Sequence, residues 1–182
     1  SPLPCIITCR PEWEGGLYEG DDEVRLAAFE AACSGARHPA YLDVELVAWQ
    51  RSDAFRRRIK LLVDGPGQAH KTDTGLILSS HDFEGRPTDL LQRVEAMAAD
   101  PTGRVIKLAW RARSLRDNLE AFEILLQRHK PTIALCMGEE GLASRVLAKK
   151  FGALLTFAVV DAASNTAPGQ PTIADLKQKY LW

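Results

Sequence analysis

Six short apolar, β-branched runs alternate with longer stretches of helical period, at residues 5–9, 41–47, 75–79, 105–109, 132–137 and 154–160. The runs are nearly continuous rather than half polar, as expected for parallel strands covered on both faces. Strand, helix and strand repeating in that order require a parallel sheet with right-handed crossovers. An α/β chain of this kind is either an open doubly wound sheet or a barrel, and periodicity alone does not choose. Six strands suit the open sheet, since a complete eight-fold barrel needs ~250 residues and this chain has 182.

The intervening helices have readable ends. Asp21-Asp22-Glu23 supplies negative charge where a helix begins, and Leu26, Phe29 and Cys33 fall on one face before a stop near Gly35. Pro87 marks the start of a helix carrying Leu90, Val94 and Met97. Ser114 with Asp117 three residues on resembles a capping box, ahead of a stripe of Leu115, Leu119, Phe122 and Leu126. The glycine- and proline-bearing residues 64–74 read as a surface loop.

Composition removes several classes of function. A net charge of −1 gives no reason to expect a nucleic acid or an anionic membrane as partner. No apolar run approaches the ~20 residues of a membrane span, and the opening Ser1-Pro-Leu-Pro does not read as a secretory leader. Cys5, Cys9, Cys33 and Cys136 lie in apolar contexts without paired metal-type spacing. They read as reduced core residues of a cytoplasmic protein.

Chemistry in a parallel α/β fold gathers at the carboxyl ends of the strands, and several polar residues fall there. Lys107 interrupts the run Val105-Ile106-Lys107-Leu108-Ala109. Burial disfavours an ammonium and favours the neutral amine that can attack a carbonyl; an edge-strand lysine reaching water is the structural alternative. His81 ends its apolar run and could move protons near neutral pH, or be a hydrogen-bonded loop residue. Arg10 closes the first run and is followed by Glu14-Gly15-Gly16, a carboxylate able to orient an imidazole or a simple solvated turn. Arg145 follows Met137-Gly138-Glu139-Glu140-Gly141 in the next helix, and could grip a carboxylate or face solvent. Ala167-Pro168-Gly169-Gln170 reads as a loop able to fold over a site. His38, His70 and His129 read as surface residues.

In order and spacing, Arg10-Pro-Glu-Trp-Glu14-Gly-Gly, Ser79-Ser-His81-Asp-Phe, Ile106-Lys107, Met137-Gly-Glu-Glu-Gly-Leu-Ala-Ser-Arg145, Leu155-Thr-Phe157 and Ala167-Pro-Gly-Gln170 resemble the motifs of type I 3-dehydroquinate dehydratase. The similarity runs from Pro4 to about Leu181 and is nearest to forms fused to a shikimate dehydrogenase. It implies a (β/α)8 TIM-type barrel, no metal or organic cofactor, and a Schiff-base lyase that dehydrates 3-dehydroquinate to 3-dehydroshikimate. Under it Lys107 is the imine-forming lysine, His81 the proton shuttle and Glu14 the acid that positions the histidine. Arg10, Arg145, Thr166, Gln170 and Phe157 are then substrate-binding residues, Arg145 meeting the carboxylate. The resemblance further implies a homodimer and a fused shikimate dehydrogenase domain.

The chain departs from the family pattern at three places. Thr166 stands where serine is usual, and residues 160–166 are about two residues longer than the common form. The first strand corresponds to the family's third, so residues 1–182 read as a single dehydratase-like domain of about six βα units, with the first two missing and possible excision from a bifunctional chain. The competing readings are an aldolase-like Schiff-base barrel lyase acting on another carbonyl substrate, and an inactive truncated remnant serving as an interaction module. The aldolase reading would call for a glycine-rich phosphate site after the late strands, which the sequence does not display.

Overall fold

The computed structural model describes residues 3–35, 37–64, 73–161 and 169–180. Five strands are present: β1 (Ile6–Thr8), β2 (Tyr41–Glu45), β3 (Gly75–Asp82), β4 (Gly103–Arg111) and β5 (Thr132–Met137). They form one parallel sheet in the order β1-β2-β3-β4-β5. Registers such as Thr8 with Asp43 and Glu45 with Ser79 fix the first three strands. This order fits the barrel better than the doubly wound sheet, the two architectures that periodicity left open. A doubly wound sheet reverses direction at a switch point, whereas a barrel winds each new strand onto the last. The observed order follows the barrel's pattern.

The helices are α1 (Asp22–Cys33), α2 (Leu46–Arg51), α3 (Asp53–Asp64), α4 (Leu90–Ala99), α5 (Asp117–Leu126), α6 (Leu142–Val146) and α7 (Ile173–Lys179). Among the described residues, no helix is long and apolar enough to cross a membrane. The chain divides into two compact units, residues 1–80 with 91–106, and residues 81–90 with 107–182.

In the first unit, Asp21 caps α1 by accepting the Val24 N–H, and Leu26, Phe29 and Cys33 form its buried face as the spacing predicts. Helices α2 and α3 were not foreseen. Helix α3 buries Phe55, Ile59 and Val63 at intervals of four, an amphipathic stripe on an otherwise charged segment. Leu90 and Met97 of α4 are buried, and its start follows the turn at Pro87.

In the second unit, several expectations need correction. Residues 154–160 are not a strand: only Val159 pairs, in an isolated bridge with Thr172. That bridge leads into α7, whose Thr172 and Asp175 form a reciprocal capping box. Ser114 does not cap α5, which begins at Asp117 with no side-chain cap bond. Its expected apolar stripe is largely turned to solvent, with Leu115 69%, Leu119 56% and Leu126 64% exposed. The buried face is Asn118, Ala121, Phe122, Ile124 and Leu125, and Phe122 stacks on Phe151 at 3.9 Å between ring centroids. Two hydrogen bonds of the buried Asn118 amide, to the Glu140 carbonyl oxygen and from the Ser144 N–H, fix the rotation of this helix, overriding the leucine pattern. Cys33 and Cys136 are buried as expected, but Cys5 and Cys9 are only half-buried, and all four thiols are free. His38 and His129 are exposed. The loop at residues 64–74 lies mostly outside the described residues, as do His70 and Thr166.

Candidate active site

One group of polar residues belongs to the first unit. Arg10 follows β1, and the turn after it folds back because Gly15 adopts a left-handed conformation with φ 75°. Gly16 lies so close that a Cβ there would stand 1.9 Å from the Arg10 carbonyl oxygen. Only glycine fits that approach, and the turn brings the buried Glu14 within 3.7 Å of the Arg10 guanidinium. Arg10 Nη1 donates to Glu45 Oε1 at 2.6 Å and to Ser79 Oγ at 2.8 Å, while Nη2 donates to Asp43 Oδ1 at 2.8 Å. Burial works against the Arg10 charge, but Asp43, Glu45 and Glu14 outweigh it and raise its pKa above the ordinary value. Glu45 Oε2 also accepts from the buried Arg25 at 2.6 Å, so one carboxylate bridges two guanidinium groups. Burial pushes the Glu45 carboxyl up, yet two guanidinium donors at 2.6 Å are the geometry of an ionised acceptor.

Asp43, Glu45 and Arg25 were missed in the sequence. The signal was present: two acids two residues apart lie on one face of the otherwise apolar strand β2, the same anomaly that singled out Lys107.

The second group belongs to the second unit. Lys107 is 8% exposed and lies in β4, whose neighbours are β3 and β5, so it is no edge-strand lysine. Its Nζ stands 4.7 Å from the centroid of the Phe157 ring, a cation–π distance for the charged amine. His81 does not follow its strand but lies within β3, half-buried, on the face shared by Ile77 and Ser79. Arg145 sits in α6, 2% exposed. Its Nε has no hydrogen-bond partner, and its guanidinium forms no ion pair among the described residues. Burial pushes its pKa down to about 10, with Cys136 acting in the opposite sense, so it remains charged at neutral pH. A buried cation without a counter-ion is expensive unless a ligand supplies one.

Gln170 is half-buried next to Gly169, whose φ is 70°. A Cβ on Gly169 would fall 2.1 Å from the Gly138 carbonyl oxygen. This close approach holds the Gln170 segment against the carboxyl end of β5. A cavity of about 620 Å³ opens there, with Phe83, Arg111, Met137, Gly138, Glu139 and Gly169 in its wall. Among the described residues, no cluster of histidine, cysteine or acidic side chains is arranged to hold a metal ion.

These features define a (β/α) protein with a buried amine inside an interior strand and, after β5, a buried guanidinium that has no ion pair among the described residues. The profile of the type I 3-dehydroquinase family matches residues 1–182, and the chain belongs to that family. It is 40% identical to the bifunctional 3-dehydroquinate dehydratase/shikimate dehydrogenase of Arabidopsis thaliana, over 99% of this chain but 28% of that protein. It is 36% identical to the 3-dehydroquinate dehydratase of Desulfotalea psychrophila, over 94% of this chain and 73% of that protein. The 3-dehydroquinate dehydratase structure from Geobacillus kaustophilus superposes with a TM-score of 0.78 at 27% identity, over 96% of this chain and 65% of that one.

Proposed function

We propose that this chain carries the catalytic residues of a 3-dehydroquinate dehydratase working through an imine on Lys107. The observation that carries the reading is Lys107 itself, an amine 8% exposed on an interior strand with an aromatic ring over its nitrogen. A lysine amine forms imines with carbonyl substrates, and a side chain held on an interior strand offers that nucleophile from a fixed position.

In the proposed reaction, uncharged Lys107 attacks the ketone carbon and the adduct loses water to leave an iminium. The cationic nitrogen draws electron density and acidifies the adjacent C–H, from which His81 removes a proton. His81 returns that proton to the neighbouring hydroxyl, which departs as water. Hydrolysis of the product iminium consumes one water, restores Lys107 and releases 3-dehydroshikimate, so one water is lost overall. By the resemblance, Glu14 is the acid that orients the imidazole. Arg145 binds the substrate carboxylate with two parallel donors. By the resemblance, Phe157 packs against the substrate, Gln170 closes over it, and Arg10 and Thr166 are further substrate-binding residues.

The resemblance to fused relatives supports a shikimate dehydrogenase domain on the same polypeptide, and family habit supports a homodimer. Free thiols at all four cysteines support a reducing compartment such as the cytoplasm.

The test is borohydride reduction of the whole protein with 3-dehydroquinate, followed by peptide mapping. A stable adduct on the Lys107 peptide is expected, and one on Lys130 or Lys149 overturns the reading. Lys107→Arg abolishes turnover as fully as Lys107→Ala, because a guanidinium stays protonated. His81→Ala still forms the adduct while product release slows by ~10²–10⁴.

A further inference from the structure

We infer that Asn118, which belongs to none of the motifs above, is a positioning residue for Arg145. The inference rests on the proposed role of Arg145 in binding the substrate carboxylate.

Arg145 stands in a helix of five residues, Leu142–Val146, whose N-cap position is Gly141 and has no side-chain cap. A helix that short does not hold itself together: nucleation fixes several dihedral angles for one hydrogen bond, and isolated helices below ~12 residues are marginal. Its first N–H groups have no partner within the helix. One of them is met from α5. The Ser144 N–H donates to Asn118 Oδ1 at 2.9 Å. The same Asn118 amide donates through Nδ2 to the Glu140 carbonyl oxygen at 2.7 Å and the Leu115 carbonyl oxygen at 3.0 Å. One side chain thus grips both α6 and the turn that leads into it.

Ser144 adds a second tie. Its hydroxyl donates to the Gly141 carbonyl oxygen at 2.7 Å and accepts the Cys136 N–H of β5 at 2.8 Å. Asn118 is 1% exposed and Ser144 is fully buried, so water cannot replace these bonds. The residue after Ser144 is Arg145, whose guanidinium has no hydrogen bond or ion pair of its own among the described residues. Its position is therefore set from the backbone side, by the amide that holds Ser144.

The test is Asn118→Leu, a substitution of similar volume that removes all three bonds. It is made in the whole protein, crystallised, and assayed with 3-dehydroquinate. The expected result is an Arg145 guanidinium displaced by about 1 Å or more, with KM raised about tenfold and kcat lowered less than about threefold. Should Asn118→Leu not fold, Asn118→Asp keeps the acceptor for the Ser144 N–H, and is expected to show the same split to a smaller degree. An unmoved Arg145 overturns the inference, and this structural arm needs no turnover to decide. A folded variant that loses kcat while KM is unchanged also overturns it. A displaced Arg145 with KM unchanged leaves the positioning intact and overturns the carboxylate role assigned to Arg145.

Discussion

Arg145 sets function against stability in one side chain. Removing a guanidinium from water without a counter-ion costs several kcal/mol, and its folded pKa of about 10 lies below the ordinary arginine value. Between those values the unfolded chain holds the proton and the folded chain does not, so this group's contribution to stability rises with pH across that window. On the carboxylate-binding role proposed for Arg145, binding moves the other way, because a neutral guanidine no longer attracts a carboxylate. KM for 3-dehydroquinate is therefore expected to climb as pH passes about 10. Arg145→Met removes the buried charge. It is expected to hold or gain stability by on the order of 1–3 kcal/mol in denaturant titration at neutral pH, while substrate binding is lost. A large loss of stability in Arg145→Met would mean that the guanidinium is held by partners after all. The Arg10 cluster behaves differently: its guanidinium groups are paired with carboxylates, although Arg25 Nε and Nη1 lack a hydrogen bond, and removing Glu45 strands both arginines.

Among the elements, α5 is the most instructive. Leucine at positions 115, 119 and 126 with Phe122 makes a convincing helical stripe, yet all three leucines are exposed. The helix is rotated so that Asn118 points inward and meets three backbone partners. An amide buried without partners costs about 1–3 kcal/mol, comparable to the gain from burying a leucine, so polar satisfaction can choose the face. Leu119→Lys is accordingly expected to change unfolding free energy by less than about 0.5 kcal/mol. Leu125→Ala, on the buried face, is expected to cost ~2–5 kcal/mol. Equal effects in a urea titration would place the helix in the rotation that its leucines suggest. The 3.6-residue period was readable in this segment, but the face that it buries was not, because a hydrophobic stripe carries no information about hydrogen bonds made to Glu140 and Ser144.

For the whole molecule, the cysteines report on each compact unit. Cys33 is buried in the first and Cys136 in the second, where burial pushes the thiol up to about 12. A thiol reagent at neutral pH is expected to modify the half-buried Cys5 and Cys9 in the native protein, and Cys33 and Cys136 only once their own units unfold. Rapid native labelling of Cys136 would contradict the packing of β5. The sequence alone determined the parallel α/β class, five of the six strand positions, the helix at Asp22–Cys33 and the anomaly of Lys107, because each follows from periodicity within a short window. Only the tertiary structure decided the sequential strand order, the loss of the run at residues 154–160 as a strand, and the place of His81 inside β3. It also decided which charges meet. Arg10 finds Glu45 35 residues away and Ser79 69 residues away, separations that no local window spans. A buried charge is costly until something pairs with it, and among the described residues no carboxylate pairs with Arg145.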